Sequence, residues 1–189
     1  MTIRILPRGD LAVTEVQEYV LDGKWNGGYR DLLVRGCKDY RDIKLWEGDR
    51  RYEEGSVEHK GGYIIERHGQ TVRVKWRSRE KDGPRYDDEH VTFKLKYRVV
   101  DAVTKVDGRD ELYWQPLFPE RTADIKHARV MIHLPASCKA GDVKREGPRR
   151  KVTEAETGDT IREWGFEAEN VKPGEDLEFR ISWPARTGE

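Results

Sequence analysis

The sequence predicts an all-β protein: an antiparallel β-sandwich, immunoglobulin-like in general architecture, that can take the form of two sandwich-like lobes. Three observations carry the prediction. From Val91 to Val99, apolar and polar residues alternate without a fault, the period of a strand buried on one side and wet on the other. The same period returns in Thr71–Arg77, Ala128–Leu134 and Leu177–Trp183. The segments between are rich in Gly, Asp and Pro, the residues of turns. At 189 residues the chain can bury one generous core. It is read as a single β-rich domain over residues 1–189, with a seam near 119–127 where periodicity lapses.

Taken in order, Ile3 and Ile5 alternate before Pro7-Arg8-Gly9-Asp10, a turn sequence suited to a hairpin. Leu11 to Val20 is harder. Leu11 and Val13 fit one strand face and Val16 and Val20 the other, so the segment reads as a strand with a bulge near Thr14, with a helix as the alternative. Val72, Val74 and Trp76 share one face of the next strand, opposite Arg73, Lys75 and Arg77. In Val91–Val99 the polar face carries Lys94, Lys96 and Arg98. Further on, Leu112 and Trp114 point one way and Tyr113 the other if that stretch is extended, which makes Trp114 a core residue. Ala128, Val130, Ile132 and Leu134 form another strand face, as do Leu177, Phe179, Ile181 and Trp183; Ile161–Phe166 is a weaker strand that Gly165 interrupts. Leu21–Gly28, Glu47–Gly62, Ser78–Glu89, Thr104–Asp110 and Pro135–Arg150 read as connections.

Composition narrows the function classes. Lys plus Arg and Asp plus Glu each total 36, so the net charge of zero offers no global attraction to nucleic acid or an acidic membrane. Six Trp, eight Tyr and four Phe supply the apolar area that a disordered chain lacks. Met1–Asp10 has no apolar run fit for an export signal, and no segment approaches the ~20 apolar residues of a membrane span, so the chain itself reads as soluble. Cys37 and Cys138 form neither a CxxC pair nor a zinc-ligand cluster, and their spacing leaves open whether they pair. The serines Ser56, Ser78, Ser137 and Ser182 sit in no GxSxG elbow. Gly27-Gly28 and Gly61-Gly62 are isolated pairs rather than phosphate loops, and no cofactor is expected.

Three constellations bear on chemistry. Tyr86-Asp87-Asp88-Glu89-His90 is the densest polar cluster, but successive residues of an extended chain point to opposite sides, so it reads as a solvated loop and no metal site is assigned. His127, Arg129 and His133 should share the outer face of one strand as a surface cluster. Asp110-Glu111 could suggest glycosidase chemistry, which needs carboxyls roughly 5 to 9.5 Å apart across a cleft; sequence neighbours do not supply that geometry unaided. The basic strands are the stronger signal. If they are neighbours, Arg73, Lys75, Arg77, Lys94, Lys96 and Arg98 line one sheet surface, with Tyr113 as an aromatic contact at its edge. Like charges side by side destabilise a sheet, so a structural account must bring acids such as Glu15 and Glu18 from a third strand. The functional account is a groove for a polyanion. Nucleic acid is not expected, because Val72, Trp76, Phe93 and Tyr97 face the core rather than offering stacking platforms.

Three blocks together, Asp10–Glu15 running on to Gly23–Asp31, then Val91–Val99 with Asp110-Glu111-Leu112-Tyr113-Trp114, and Val130–Pro135, resemble the N-terminal region of the predicted bacterial membrane proteins catalogued as domain of unknown function 2207. Val171–Leu177 through Trp183-Pro184 is similar to that family's closing strand, whereas Gln115 stands where an Asn is common and Pro119-Glu120-Arg121 lacks a Trp. The resemblance implies an extracytoplasmic β-rich domain anchored to the membrane through segments absent from this chain, which then reads as an excised ectodomain or a soluble outlier. It implies no activity. The leading expectation is a non-enzymatic binding or interaction module at the bacterial cell envelope, with an anionic envelope polymer, lipid head groups or a partner protein as its partner. The alternatives are a carbohydrate-active or other hydrolase using paired carboxylates, and a purely structural spacer.

Overall fold

The faultless alternation of Val91–Val99 is the inner part of a fifteen-residue strand, Tyr86–Val100, in which Val91, Phe93, Leu95, Tyr97 and Val99 are all buried. The structure, a computed structural model, describes residues 1–117, 121–135, 138–147, 151–157, 160–175 and 177–185. Pro119, Glu120 and Ser137 lie outside them. The described residues form β1 (Thr2–Ile5), β2 (Leu11–Gly23), β3 (Gly27–Leu33), β4 (Asp39–Glu47), β5 (Arg50–Arg51), β6 (Glu53–Glu54), β7 (Gly62–His68) and β8 (Thr71–Arg77). There follow β9 (Tyr86–Val100), β10 (Val103–Val106), β11 (Arg109–Trp114), β12 (Ile125–His133), β13 (Lys144–Glu146), β14 (Lys151–Thr157), β15 (Thr160–Val171) and β16 (Phe179–Pro184). Among the described residues there is no α-helix, so the fold is all-β, and Leu11–Val20 is a strand.

The chain divides into two compact units, one of Met1–Val13, Gly36–Lys38 and Val99–Glu189, the other of Thr14–Arg35 and Asp39–Arg98. Residues 121–127, within the seam expected near 119–127, belong to the first unit.

The first unit sets strands in the order β14-β15-β12-β1 against β10-β11-β16-β13. β1 runs parallel to β12, with Ile3 beside Ile132, while β12 and β15 are antiparallel. Trp164, Phe166 and Phe179 meet at centroid distances of 5.5 to 5.9 Å, joining β15 of one sheet to β16 of the other across the core. Leu112 and Trp114 are buried there, as the sequence suggests. Gly165 does not interrupt its strand: a Cβ there would stand 2.4 Å from the Val130 carbonyl oxygen, so glycine is what lets β15 lie close to β12. The expected Thr104–Asp110 connection is instead a tight hairpin. Val106 pairs with Arg109, and Asp107 and Gly108 have φ of 50° and 75°, as a two-residue turn between twisted strands requires.

The second unit sets β2-β9-β4-β5 against β3-β8-β7-β6. Val72, Val74 and Trp76 face Phe93, Leu95 and Tyr97, with the Trp76 and Phe93 rings 5.1 Å apart. Left-handed aspartates set the phase of two strands. In β4, Tyr40 points inward, Arg41 and Asp42 are both exposed, and Ile43 and Leu45 point inward again; Asp42 has φ of 54° and absorbs the extra residue. Asp88, at φ of 48°, does the same in β9, so Tyr86 and Val91 are both buried although five residues apart. In β2 the inward phase runs unbroken through Leu11, Val13 and Glu15. The inward face thus does not switch near Thr14: the third inward residue is a carboxylate, and Val16 and Val20 are left exposed.

Candidate anion-binding face

On β9 the outward residues are Lys94, Lys96 and Arg98. The neighbouring strand is β4, where the bulge at Asp42 turns Lys44 and Trp46 outward on the same side. Arg51 of β5 pairs with Trp46 and so shares its face. Trp46 is the centre of this surface: the Lys94 and Lys96 ammonium groups lie 5.2 and 5.6 Å from its ring centroid, within cation–π range. The indole is half-buried beneath them. Among the described residues no carboxylate pairs with Lys44, Arg51, Lys94 or Lys96, and Glu18, outward on β2, forms no ion pair with them. Arg41 is paired with Asp39 at 3.4 Å. Lys44, Arg51, Lys94 and Lys96 can therefore offer positive charge that no carboxylate among the described residues neutralises.

The other expected cations are elsewhere. β8 lies between β3 and β7, not beside β9, and its apolar face meets that of β9, so Arg73, Lys75 and Arg77 point away from Lys94, Lys96 and Arg98. The joint six-residue surface expected from the sequence does not form, because the two strands belong to opposite layers. Arg73 is held by Asp31 through two hydrogen bonds of 2.7 and 2.8 Å and lies 4.3 Å from the Tyr29 ring centroid. The bonds to Asp31 raise its pKa further, so it is a structural cation. The Arg77 Nε donates to the Val57 carbonyl, and Lys75 is exposed. Tyr113 belongs to the other unit, half-buried, donating to Glu178 at 2.6 Å beneath the Arg180 guanidinium. Its strand, β11, belongs to a different sheet from β9.

Glu15 is not a surface counter-ion either. It is 3% exposed and paired with Arg30, 6% exposed, through two hydrogen bonds of 3.0 Å. Tyr97 donates to one carboxylate oxygen at 2.5 Å and Gln17 to the other at 2.9 Å, so the buried anion accepts four bonds. Burial alone would push this carboxyl up; the Arg30 charge and the donated bonds outweigh it and hold Glu15 below the ordinary carboxylate range. Sequence reading missed the pair because both residues look like outward polar positions. The available signal was phase: Glu15 continues Leu11 and Val13, and Arg30 is in step with Leu32.

Beside the basic face opens a cleft of about 870 Å³, lined in part by Tyr40, Tyr52, Tyr63, Arg41, Lys44 and Arg51. Tyr40 packs edge-on against Tyr97 at 5.6 Å, linking the cleft wall to the buried pair. The Tyr63 hydroxyl donates to the Ile43 carbonyl at 2.8 Å; burial first, then the Glu54 charge, pushes its pKa up to about 12, so it stays a donor at neutral pH.

The remaining constellations are surface features. Asp87, Asp88, Glu89 and His90 are exposed at the bulged start of β9, and Glu89 pairs with Arg79. Among the described residues no group of His, Cys, Asp and Glu is arranged to hold a metal ion. His133 lies 3.0 Å from Glu163, and Arg129 3.6 Å from Glu167, as cross-strand pairs of β12 and β15. Glu111 is paired with Arg180 at 3.4 Å, while Asp110, the next residue of the strand, points to its other side.

An all-β chain of two sandwich-like units, with a cation-rich sheet face and an adjoining cleft, is by its architecture a candidate binding domain. The chain belongs to the family described as "Predicted membrane protein (DUF2207) N-terminal domain", whose model matches residues 1–183. No curated protein matches it. Among solved structures it is similar to one described as "a putative nutrient binding protein" from Legionella pneumophila, with a TM-score of 0.53 and 11% identity over 95% of this chain. The match covers 64% of that protein's length, and the likeness is one of fold. Among the described residues no helix is long and apolar enough to cross a membrane.

Proposed function

We propose that this chain is a non-catalytic binding module on the extracytoplasmic side of a membrane-anchored protein, and that its ligand is an anionic, phosphate-bearing component of the cell envelope. The observation that carries the reading is the set of cations around Trp46, Lys44, Arg51, Lys94 and Lys96, which lack carboxylate partners among the described residues. Uncompensated like charges on adjacent strands destabilise a sheet, so their concentration on one face is the arrangement expected where an external anion completes the neutralisation. Membership of a membrane-protein family and likeness in fold to a described nutrient binder are in keeping with such a role. The hydrolase alternative is less favoured, because Asp110 and Glu111 lie on opposite sides of one strand and Glu111 is engaged by Arg180.

Titration with soluble polyphosphate tests the proposal. Release of counter-ions from about four contacts should weaken binding roughly 50-fold between about 50 and 200 mM salt. Lys94→Glu with Lys96→Glu should abolish binding without unfolding the protein, whereas Lys75→Glu, on the other layer, should leave it unchanged. Affinity independent of salt, or dependent on Lys75 and not on Lys96, would overturn the reading.

A further inference from the structure

The basic face does not end at β9. On β2, its neighbour, the outward residues Val16 and Val20 are 51% and 54% exposed. Their side is fixed by what lies on the other: Glu15 contacts Tyr97 and Tyr19 contacts Phe93, both inward residues of β9. Val16 and Val20 therefore lie on the same surface as Lys94, Lys96 and Arg98. Five residues past Val20, at the apex between β2 and β3, stands Trp25, 56% exposed. Its indole N–H is satisfied by the Asp22 carbonyl at 2.6 Å, so what it presents to solvent is hydrocarbon. Lys24 is exposed beside it, and the Arg85 guanidinium reaches the same turn, 3.9 Å from where a Cβ on Gly23 would stand. Of the six large apolar residues exposed among the described residues, Val16, Val20 and Trp25 lie in this stretch, whereas Tyr19 between them faces Phe93.

Resting on the reading above, we infer that this surface docks on an anionic lipid bilayer, with the cations of β9, β4 and β5 at the level of lipid phosphates and Val16, Val20 and Trp25 entering the headgroup layer. A linear polyanion in water would need only the cations. Exposed valines and a solvent-facing tryptophan gain from removal from water, and indoles are enriched at the membrane interface. The exposed acids on the outward sides of β2 and β4, Glu18, Asp22 and Asp42, are outnumbered by Lys44, Arg51, Lys94, Lys96 and Arg98, so the charge complements an anionic surface. Membership of a family described as membrane proteins puts a bilayer within reach.

The test uses the intact chain with phosphatidylcholine vesicles, the same vesicles containing phosphatidylglycerol, and soluble polyphosphate. Cosedimentation is expected with the anionic vesicles only, weakening about fivefold for each of Lys94→Ala and Lys96→Ala. Trp25→Ser and Val20→Ser, both at exposed positions, should lower vesicle affinity several-fold while leaving polyphosphate affinity and thermal unfolding unchanged. Trp76, Trp114, Trp164 and Trp183 are buried, so acrylamide quenching reports on Trp25 and Trp46, and anionic vesicles should protect both. If polyphosphate binds but Trp25→Ser and Val20→Ser leave vesicle affinity intact, the bilayer inference fails and the anion-binding reading stands. If neither polyphosphate nor anionic vesicles bind, both fail.

Discussion

Replacing Arg30 with Met should do more than weaken the protein; it should reverse the sign of its acid response. In the native chain the Glu15 carboxylate, 3% exposed, accepts two bonds from Arg30 and one each from Tyr97 and Gln17. Its folded pKa is depressed, so its stabilising contribution is complete above the unfolded value of about 4.3 and is lost as pH falls through the folded one. Without Arg30, burial dominates and the folded pKa lies above the unfolded one. The penalty is then full above the raised folded pKa and relieved as pH falls toward about 4.3. Removing one partner of a buried pair costs about 3–5 kcal/mol, which for a chain of this size lowers Tm by about 6–20 °C. Urea denaturation between neutral and mildly acidic pH measures this directly. Arg30→Met should gain stability over the interval in which the native protein holds steady. Glu15→Leu combined with Arg30→Met should recover most of the loss, since a hydrophobic replacement of both partners leaves no buried charge. A single variant within 1 kcal/mol of the native protein at neutral pH, or one with an unchanged pH slope, would refute the reasoning.

Other substitutions test the backbone. Gly165→Ala drives a Cβ toward the Val130 carbonyl and should cost about 1–3 kcal/mol in chemical denaturation. At Asp42, with φ of 54°, Gly should be tolerated whereas Val should cost about 1–2 kcal/mol, read as a shift in urea midpoint at unchanged m-value. Gly108→Val should destabilise the β10–β11 hairpin, visible as faster amide exchange at Val103–Val106, because its φ of 75° excludes a branched side chain.

The strands legible in the sequence are those whose inward residues are apolar in unbroken phase: β8, β12, β16 and the Val91–Val99 part of β9. β4 was hidden because the bulge at Asp42 puts Tyr40 out of step with Ile43 and Leu45. β3 reads in part as a loop because it opens on Gly27-Gly28 and buries Arg30. In both cases the missing information is tertiary: a left-handed aspartate and a distant carboxylate. The candidate face was half legible. Lys94, Lys96 and Arg98 followed from alternation alone, but their company depended on which strand lies next to β9. Strand order is set by contacts far apart in sequence, and alternation alone does not say that β4 rather than β8 lies next to β9.

The burial of Glu15 bears on how β2 chooses its alignment. A shift of one residue exchanges the two faces of a strand. From Thr14 onward that would carry Val16 and Val20 inward and put Glu15 and Gln17 in water. It would also bring Glu18 and Asp22 inward and expel Tyr19 and Leu21, so hydrophobicity alone barely separates the two arrangements. What opposes it is Arg30, which would be left buried without its anion, and Tyr97, which would lose its acceptor. The ion pair thus works as a key that admits one alignment of β2, and the same choice keeps two valines on the outside, where a surface made for contact has use for them.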